Sequence, residues 1–276
     1  MFGEPLNELA LFAGAGGGVL GSVLLGWRTI GAVEISSFCA RRLMQRQNER
    51  HLPPFPIWDD VCTFDGRPWR GAVDVISGGF PCQDISSAGN GAGLDGSRSG
   101  LWREYARIVG EVEPRYVFIE NSPLLRTRGL VRVLKDLAAL GYDAEWMVLS
   151  AKEVGAYHLR KRMWIVATNP QINRRGQGWQ RGSVAGGEGQ QKQPFQVSAY
   201  SLERSTVRSV APTSQRQMAS ENDSNNRWWA VEPPVDRVAY GVANGMDRLR
   251  ALGNGQVPAV AATAWHILSS AIEEGR

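Results

Sequence analysis

The sequence predicts an α/β domain built on a mainly parallel sheet flanked by helices. Three observations carry that expectation. Apolar runs rich in Val and Ile alternate with helix-like segments through the first two thirds of the chain. The first of these runs ends in glycines that open directly into a helical pattern. A chain of 276 residues, 43% of them hydrophobic, is large enough to bury one sizeable core, with room for a small insert.

Taken in order, "ELALFAG" (8–14) reads as a strand and "GGVLGSVLLGW" (17–27) as a helix. "TIGAVE" (29–34) is a second strand, and "SSFCARRLMQRQNE" (36–49) a helix opened by a serine cap. "IWDDV" (57–61) is a third strand candidate, closed by acidic residues. "AVDVIS" (72–77) and "RYVFIEN" (115–121) follow as strands, with helical spacing in "SRSGLWREYARIVGEV" between them. "RGLVRVLKDLAALG" (128–141) predicts an amphipathic helix ended by Gly141. "AEWMVLS" (144–150) and "RMWIVAT" (162–168) are two more strands. After Asn169 the periodicity stops, and Gly, Gln and Arg dominate until about "RWWAVEPPVDRVAYGV" (227–242). So long an aperiodic stretch is a functional insert, a solvated loop or a disordered segment. "VPAVAATAWHILSSAIEEG" is a closing helix with an apolar face that can return to the sheet.

Composition narrows the function classes. A net charge of +4, with a pI near 9.1, is compatible with a polyanionic partner but is weak support alone. No apolar run is long enough for a membrane span, and the N-terminal sequence lacks the pattern of a secretory signal, so a cytoplasmic protein is expected. Cys39, Cys62 and Cys82 are widely spaced and odd in number, which argues against a disulfide framework. With His51, His158 and His266 also far apart, no metal site is expected.

Chemistry gathers at strand ends. The strand–glycine–helix start lets a ligand approach the backbone near a helix N-terminus, and Gly16, Gly18 and Gly21 fit G-x-G-x-x-G. Glu34 ends the next strand about 18 residues on, where an acid commonly holds ribose hydroxyls. The pattern fits any adenosine-bearing ligand; the alternative is a tight turn packed on the sheet. Asp60 is a candidate for an adenine amino group, or simply a loop carboxylate. Cys82, in "SGGFPCQDIS" (77–86), follows a strand where open α/β sheets place their chemistry, and its Pro and Gly neighbours describe an exposed turn. A lone cysteine is usually structural, but a thiolate is an intrinsically strong nucleophile. Glu120 ends the strand "FIE" at the same rim, where partial burial would raise its pKa and make it a proton donor. Arg160 and Arg162, two apart before a strand, could orient a carboxylate, a phosphate or a base carbonyl.

The order of FxGxGG (12–17), Glu34, GGFPCQ (78–83), EN (120–121), RxR (160–162) and GN (253–254) resembles the DNA cytosine-5 methyltransferases. The resemblance covers roughly 1–168 and 232–276. It implies a Rossmann-like methyltransferase domain over 1–168, a short target-recognition region at 169–231, and a segment at 232–276 that returns to the catalytic domain. It implies S-adenosyl-L-methionine as cofactor, held by Phe12, Gly14, Gly16, Gly17, Glu34, Asp60, Pro81 and Asn254. It assigns Cys82 as the nucleophile towards C6 of a flipped cytosine, with Glu120, Arg160, Gln83 and Arg162 in the catalytic set. Glu120 would contact N3 and the amino group, Arg160 the carbonyl, and Arg162 would be structural or indirectly catalytic. Ser86, Asn121 and Arg237 would touch the substrate, and Gln83 to Gly100 would form a mobile loop. Double-stranded DNA is then the expected partner, and a cognate restriction endonuclease a candidate one. Two positions depart from the family pattern: Ser122 stands where a Val is usual, and His158 where a Gln precedes the arginines. The arginines of the insert, with Lys192, suit phosphate contacts better than base reading, and its tryptophans suit packing. An RNA cytosine-5 methyltransferase, a silent cofactor- and DNA-binding relative and a dinucleotide oxidoreductase remain the competing readings.

Overall fold

The computed structural model describes residues 5–81, 100–175 and 245–274. The chain divides into two compact units, Met1–Ser183 with Met246–Arg276, and Val184–Gly245. Apart from Gly245, the described residues belong to the first unit.

A seven-stranded sheet forms its centre, in the order β3-β2-β1-β4-β5-β7-β6. The strands are β1 (Asn7–Leu11), β2 (Arg28–Val33), β3 (Ile57–Trp58), β4 (Val75–Gly78), β5 (Tyr116–Asn121), β6 (Asp143–Ser150) and β7 (Lys161–Thr168). The first five in space pair parallel, whereas β7 lies antiparallel to both β5 and β6. The expected α/β class with a mainly parallel sheet and flanking helices is therefore what the chain adopts.

Alternation within the central strands feeds two faces. Leu9, Leu11, Ile76, Val117 and Ile119 point to one core, packed by α3 (Leu101–Val112) and α5 (Leu130–Ala139) through Tyr105, Ile108, Val133 and Leu137. On the other face, Val75, Phe118, Trp164 and Val166 meet Ala261, Ala264 and Trp265 of α8 (Pro258–Glu274). Beside it, Ala10 and Ala32 are covered by Val19 of α1 (Gly17–Leu24) and Leu43 of α2 (Ser37–Asn48). Gly21 lets α1 lie on α8, since a Cβ there would sit 3.0 Å from that of Ala261.

Several boundaries differ from expectation, each with a local cause. Ser36 caps α2 by accepting from the Cys39 N–H at 3.4 Å, as the sequence indicates. The third strand keeps only Ile57 and Trp58, because the Asp60 carboxylate accepts from the Cys62 N–H at 2.9 Å and turns the chain. The helix expected over 128–141 is broken at Gly129: a short turn, α4 (Leu125–Arg128), precedes α5. The chain stays helical past Asn169, whose side chain accepts from the Gln171 N–H at 3.0 Å and opens α6 (Pro170–Arg175) with a proline in its first turn. A further helix, α7 (Gly245–Asn254), precedes α8. The insert beyond residue 175 lies outside the described residues.

Candidate active site

After β1 the chain moves outward through β2 to β3, and after β4 it moves the opposite way to β5, so the strand order reverses between β1 and β4. Crevices at the carboxyl ends of such neighbours are where open α/β sheets bind ligands. A cleft partly open to solvent lies there. Phe12, Gly14, Gly79, Glu120, Asn254 and Gln256 are among its walls.

The cleft's first wall is the turn from β1 into α1. Phe12 holds φ 52, a conformation uncommon outside glycine. Its ring stacks on Tyr105 at 6.3 Å, which in turn stacks on Trp102 at 5.6 Å. Gly14, at φ 57, has open space where a side chain would stand. Its N–H donates to Glu34 Oε2 at 2.6 Å, while Ser36 N–H donates to Oε1 at 2.7 Å. The Glu34 carboxylate thus stands beside the glycine turn. Gly16, at φ 93, precedes α1 and faces Leu43. Gly17 serves a different neighbour, for a Cβ there would collide with the backbone of Gln256. Gly17→Ala should therefore destabilise the fold by about 1–3 kcal/mol through overpacking, read as a lowered urea midpoint. Asp60 is half-buried in its own turn at the end of β3, and Pro81 is the last described residue after β4.

Glu120 is strongly altered by its surroundings. It sits at the carboxyl end of β5 with 7% exposure. Arg162 Nε lies 2.7 Å from its Oε1. Burial pushes the Glu120 carboxyl up to about 7, against the opposing pull of Arg162 and Arg160. Glu120 pairs across the sheet with Trp164, so Arg162, two residues earlier on β7, shares its face. Asn121, on the opposite face, is buried and donates to the Phe80 carbonyl at 3.2 Å, fixing the chain just before Pro81. Arg160 turns elsewhere: its Nη2 donates to the carbonyls of Gly253, at 2.9 Å, and Gly255. The arginine beside the carboxylate is thus Arg162, and spacing alone did not separate the two. Arg160 has φ 25, which breaks the strand-like relation that their sequence separation suggested.

Cys82, Gln83, Ser86 and Arg237 lie outside the described residues. Of the other two cysteines, Cys39 is held above the ordinary thiol value by burial, and Cys62 by burial together with the Asp60 carboxylate. Neither is placed in an environment that favours a thiolate.

Two residues at the site escaped the sequence reading. Gln256 contacts both walls of the cleft: its Oε1 would be 2.7 Å from a Cβ on Gly18, and its Nε2 3.6 Å from one on Gly79. Nothing local in "GNGQVP" signals this. Glu8 is fully buried and accepts from Ser22 Oγ at 2.6 Å, Ser77 Oγ at 2.5 Å and Thr29 Oγ1 at 2.5 Å. Burial raises its carboxyl, against those three hydroxyls. Ser77 lines the cleft, so Glu8 ties its floor to α1 and β2. A charged residue inside an apolar strand run was the available signal.

A doubly wound sheet with a glycine-walled cleft at its strand-order reversal, and a buried acid–arginine pair on the rim, places the chain among the α/β proteins that take a ligand at the carboxyl ends of their strands. The family model described as C-5 cytosine-specific DNA methylase matches residues 6–247, and the chain belongs to that family. It is 32% identical over 163 residues to the type II methyltransferase M.CviJI of Paramecium bursaria Chlorella virus IL3A, covering 58% of this chain and 42% of the relative. It is 35% identical over 164 residues to the type II methyltransferase M.Eco47II of Escherichia coli, covering 58% and 38%. Among solved structures, the S. pombe Dnmt2 methyltransferase aligns with a TM-score of 0.48 at 19% identity, covering 60% of this chain and 50% of that one. The chain spans about two fifths of the length of these two relatives. Among the described residues no helix is long and apolar enough to cross a membrane.

Proposed function

We propose that this protein is a DNA cytosine-5 methyltransferase that uses S-adenosyl-L-methionine and acts through a covalent bond between Cys82 and C6 of a flipped cytosine. The observation that carries the reading is Glu120: a buried carboxyl with a pKa of about 7, ion-paired to Arg162, on the rim that leads to Pro81 and Cys82. Family membership supports it.

The residues present suit an adenosyl ligand. The cleft offers an aromatic ring at Phe12 and unobstructed backbone at Gly14, whose N–H donates to the Glu34 carboxylate just past β2. We assign Phe12, Gly14, Glu34 and Asn254 to that ligand, with Gly16, Gly17, Asp60 and Pro81 framing them. When bound, S-adenosylmethionine supplies an electrophilic methyl group. Cytosine C5 is a poor nucleophile until a thiolate adds at C6. In the proposed reaction the Cys82 sulfur forms the C6 bond while the Glu120 carboxyl donates to N3, leaving the electron pair on C5. After methylation, loss of the C5 proton to a base, breakage of the Cys82–C6 bond and return of the N3 proton to Glu120 restore the aromatic ring. Flipping the base out of the duplex costs a few kcal/mol. Arg162 holds Glu120 in place and prevents complete neutralisation of its charge. Residues 169–231 are the proposed target-recognition region, and 232–276 the segment returning to the catalytic domain. A cognate restriction endonuclease is the proposed biological partner.

The test is conversion sequencing of unmethylated mixed-sequence plasmid after incubation with the protein and S-adenosylmethionine. Protected cytosines recurring in one sequence context are expected. Protection confined to tRNA in a parallel incubation would overturn the DNA assignment. A second expectation concerns the cofactor site: Glu34→Ala should weaken S-adenosylmethionine binding on the order of tenfold, from the loss of a charge-assisted hydrogen-bonding group. DNA affinity in a gel-shift assay should be unchanged.

A further inference from the structure

We propose that Arg160 is a positioning residue for the cofactor cleft, its guanidinium clamping the segment Gly253–Gln256 against the glycines that open α1. The inference deepens the reading above and rests on it, since it takes the cleft to be the S-adenosylmethionine site.

Three independent features of the structure support the clamp. The first is where the guanidinium goes. Arg160 Nη2 donates to the carbonyls of both Gly253 and Gly255, one at the last turn of α7 and one just past its end. The last carbonyls of a helix have no partner within it, and the negative end of the helix dipole favours a cation there. Arg160 thus closes the C-terminus of α7. The second is backbone conformation. At φ 25 Arg160 occupies a region that side-chain-bearing residues seldom adopt, and this lets its side chain leave the direction taken by Arg162. Two arginines separated by one residue therefore serve different partners, Arg162 the Glu120 carboxylate and Arg160 the α7 end.

The third is what the clamped segment touches. Gln256 presses its backbone onto Gly17 so closely that a methyl group has no room there, and lays its carboxamide against Gly18. Asn254, Gly255 and Gln256 line the cleft together with Gly14 and Phe12. With glycines at 253 and 255, this linker has little conformational preference of its own. The two carbonyl contacts from Arg160 supply that preference. Removing them frees a wall of the cleft without touching the ligand, and the ordering then has to occur when the ligand binds.

The test measures binding of S-adenosylmethionine, without DNA, to the full chain by titration calorimetry. Arg160→Gln is expected to weaken binding on the order of tenfold, the effect of losing hydrogen bonds from a charged donor. Arg160→Lys, which keeps a cation able to donate to a carbonyl, should recover part of the loss. Arg132→Gln, whose partner is Asp136 on α5 and which does not line the cleft, should bind within about threefold of the wild type, as expected of a residue outside the clamp. Arg160→Gln combined with Gln256→Ala should bind no more weakly than the worse single variant, because both act through one segment. In steady state the KM for the cofactor should rise while the KM for DNA holds. Wild-type cofactor affinity in Arg160→Gln, with methylation lost, would overturn the clamp and return Arg160 to the base carbonyl. If Arg160→Gln fails to fold by circular dichroism, Arg160→Met carries the same expectation and the same refutation. A wild-type protein that binds no S-adenosylmethionine would instead overturn the functional reading itself.

Discussion

Cys82→Ala is expected to abolish methyl transfer to DNA while leaving S-adenosylmethionine affinity within about twofold of the wild type, because the thiol bonds to the base and not to the sulfonium. The size of the loss follows from chemistry. Without a nucleophile at C6, the C5 carbon has no electron pair to offer, and neither orientation nor hydrogen bonding at N3 replaces that covalent step. Methylation should fall below detection in a tritium-transfer assay, not decline in proportion to a lost contact. Duplexes carrying 5-fluorocytosine at the target provide a second readout. Fluorine at C5 blocks the final elimination, so the wild type should form an adduct stable to denaturing electrophoresis and the alanine variant none. Loss of cofactor affinity together with activity would mean that Cys82 is structural.

Glu120→Gln should lower kcat by roughly 10²–10⁴-fold, the usual contribution of a positioned general acid. The pH dependence gives the sharper expectation. Glu120 loses its proton as pH rises through about 7, so the step that needs the acid form should decline above that value. Thiolate formation at Cys82 works in the opposite sense, rising with pH towards the ordinary thiol value of about 8.5. The product of the two is a bell, and the glutamine variant should keep only the rising limb. Stability responds to the same group. Because the folded carboxyl binds its proton more tightly than the unfolded one, stability falls as pH rises from the ordinary carboxyl value of 4.5 through about 7. Denaturant midpoints of Glu120→Gln should lack that decline. A pH–rate profile unchanged by the substitution would remove Glu120 from proton transfer.

The sequence made the strands legible because burial on both faces leaves an unbroken apolar signal. The limits of β5 and β7 differ from expectation by a single residue, at Arg115 and Lys161. Elements that depend on one side-chain contact were harder to see. The end of β3 rests on the Asp60 turn, and the start of α6 on the cap from Asn169, a signal present in "NPQ" but overshadowed by the loss of periodicity beyond it. At the site, residue types were readable and partners were not. Glu120 and the paired arginines stood out, yet only the geometry assigns Arg162 to the carboxylate and Arg160 to the α7 end. Gln256 was invisible because its place depends on Gly17 and Gly18, far away in sequence.

The reversed direction of β7 settles where the chain can reach. A strand parallel to β5 would bring its final residues to the rim that carries Glu120; β7 instead brings its first, which is why the arginines precede it. Its last residue, Thr168, pairs with Tyr116 at the opposite edge, where the Asn169 N–H meets the Arg115 carbonyl. The long polar stretch after β7 therefore departs from the edge remote from the chemistry, one strand length, about 26 Å, from the arginine end. The chain is back beside the cleft by Asn254. The chain thus leaves the sheet at the edge remote from the reacting groups and comes back beside them, so departure and arrival lie at opposite ends of the strands.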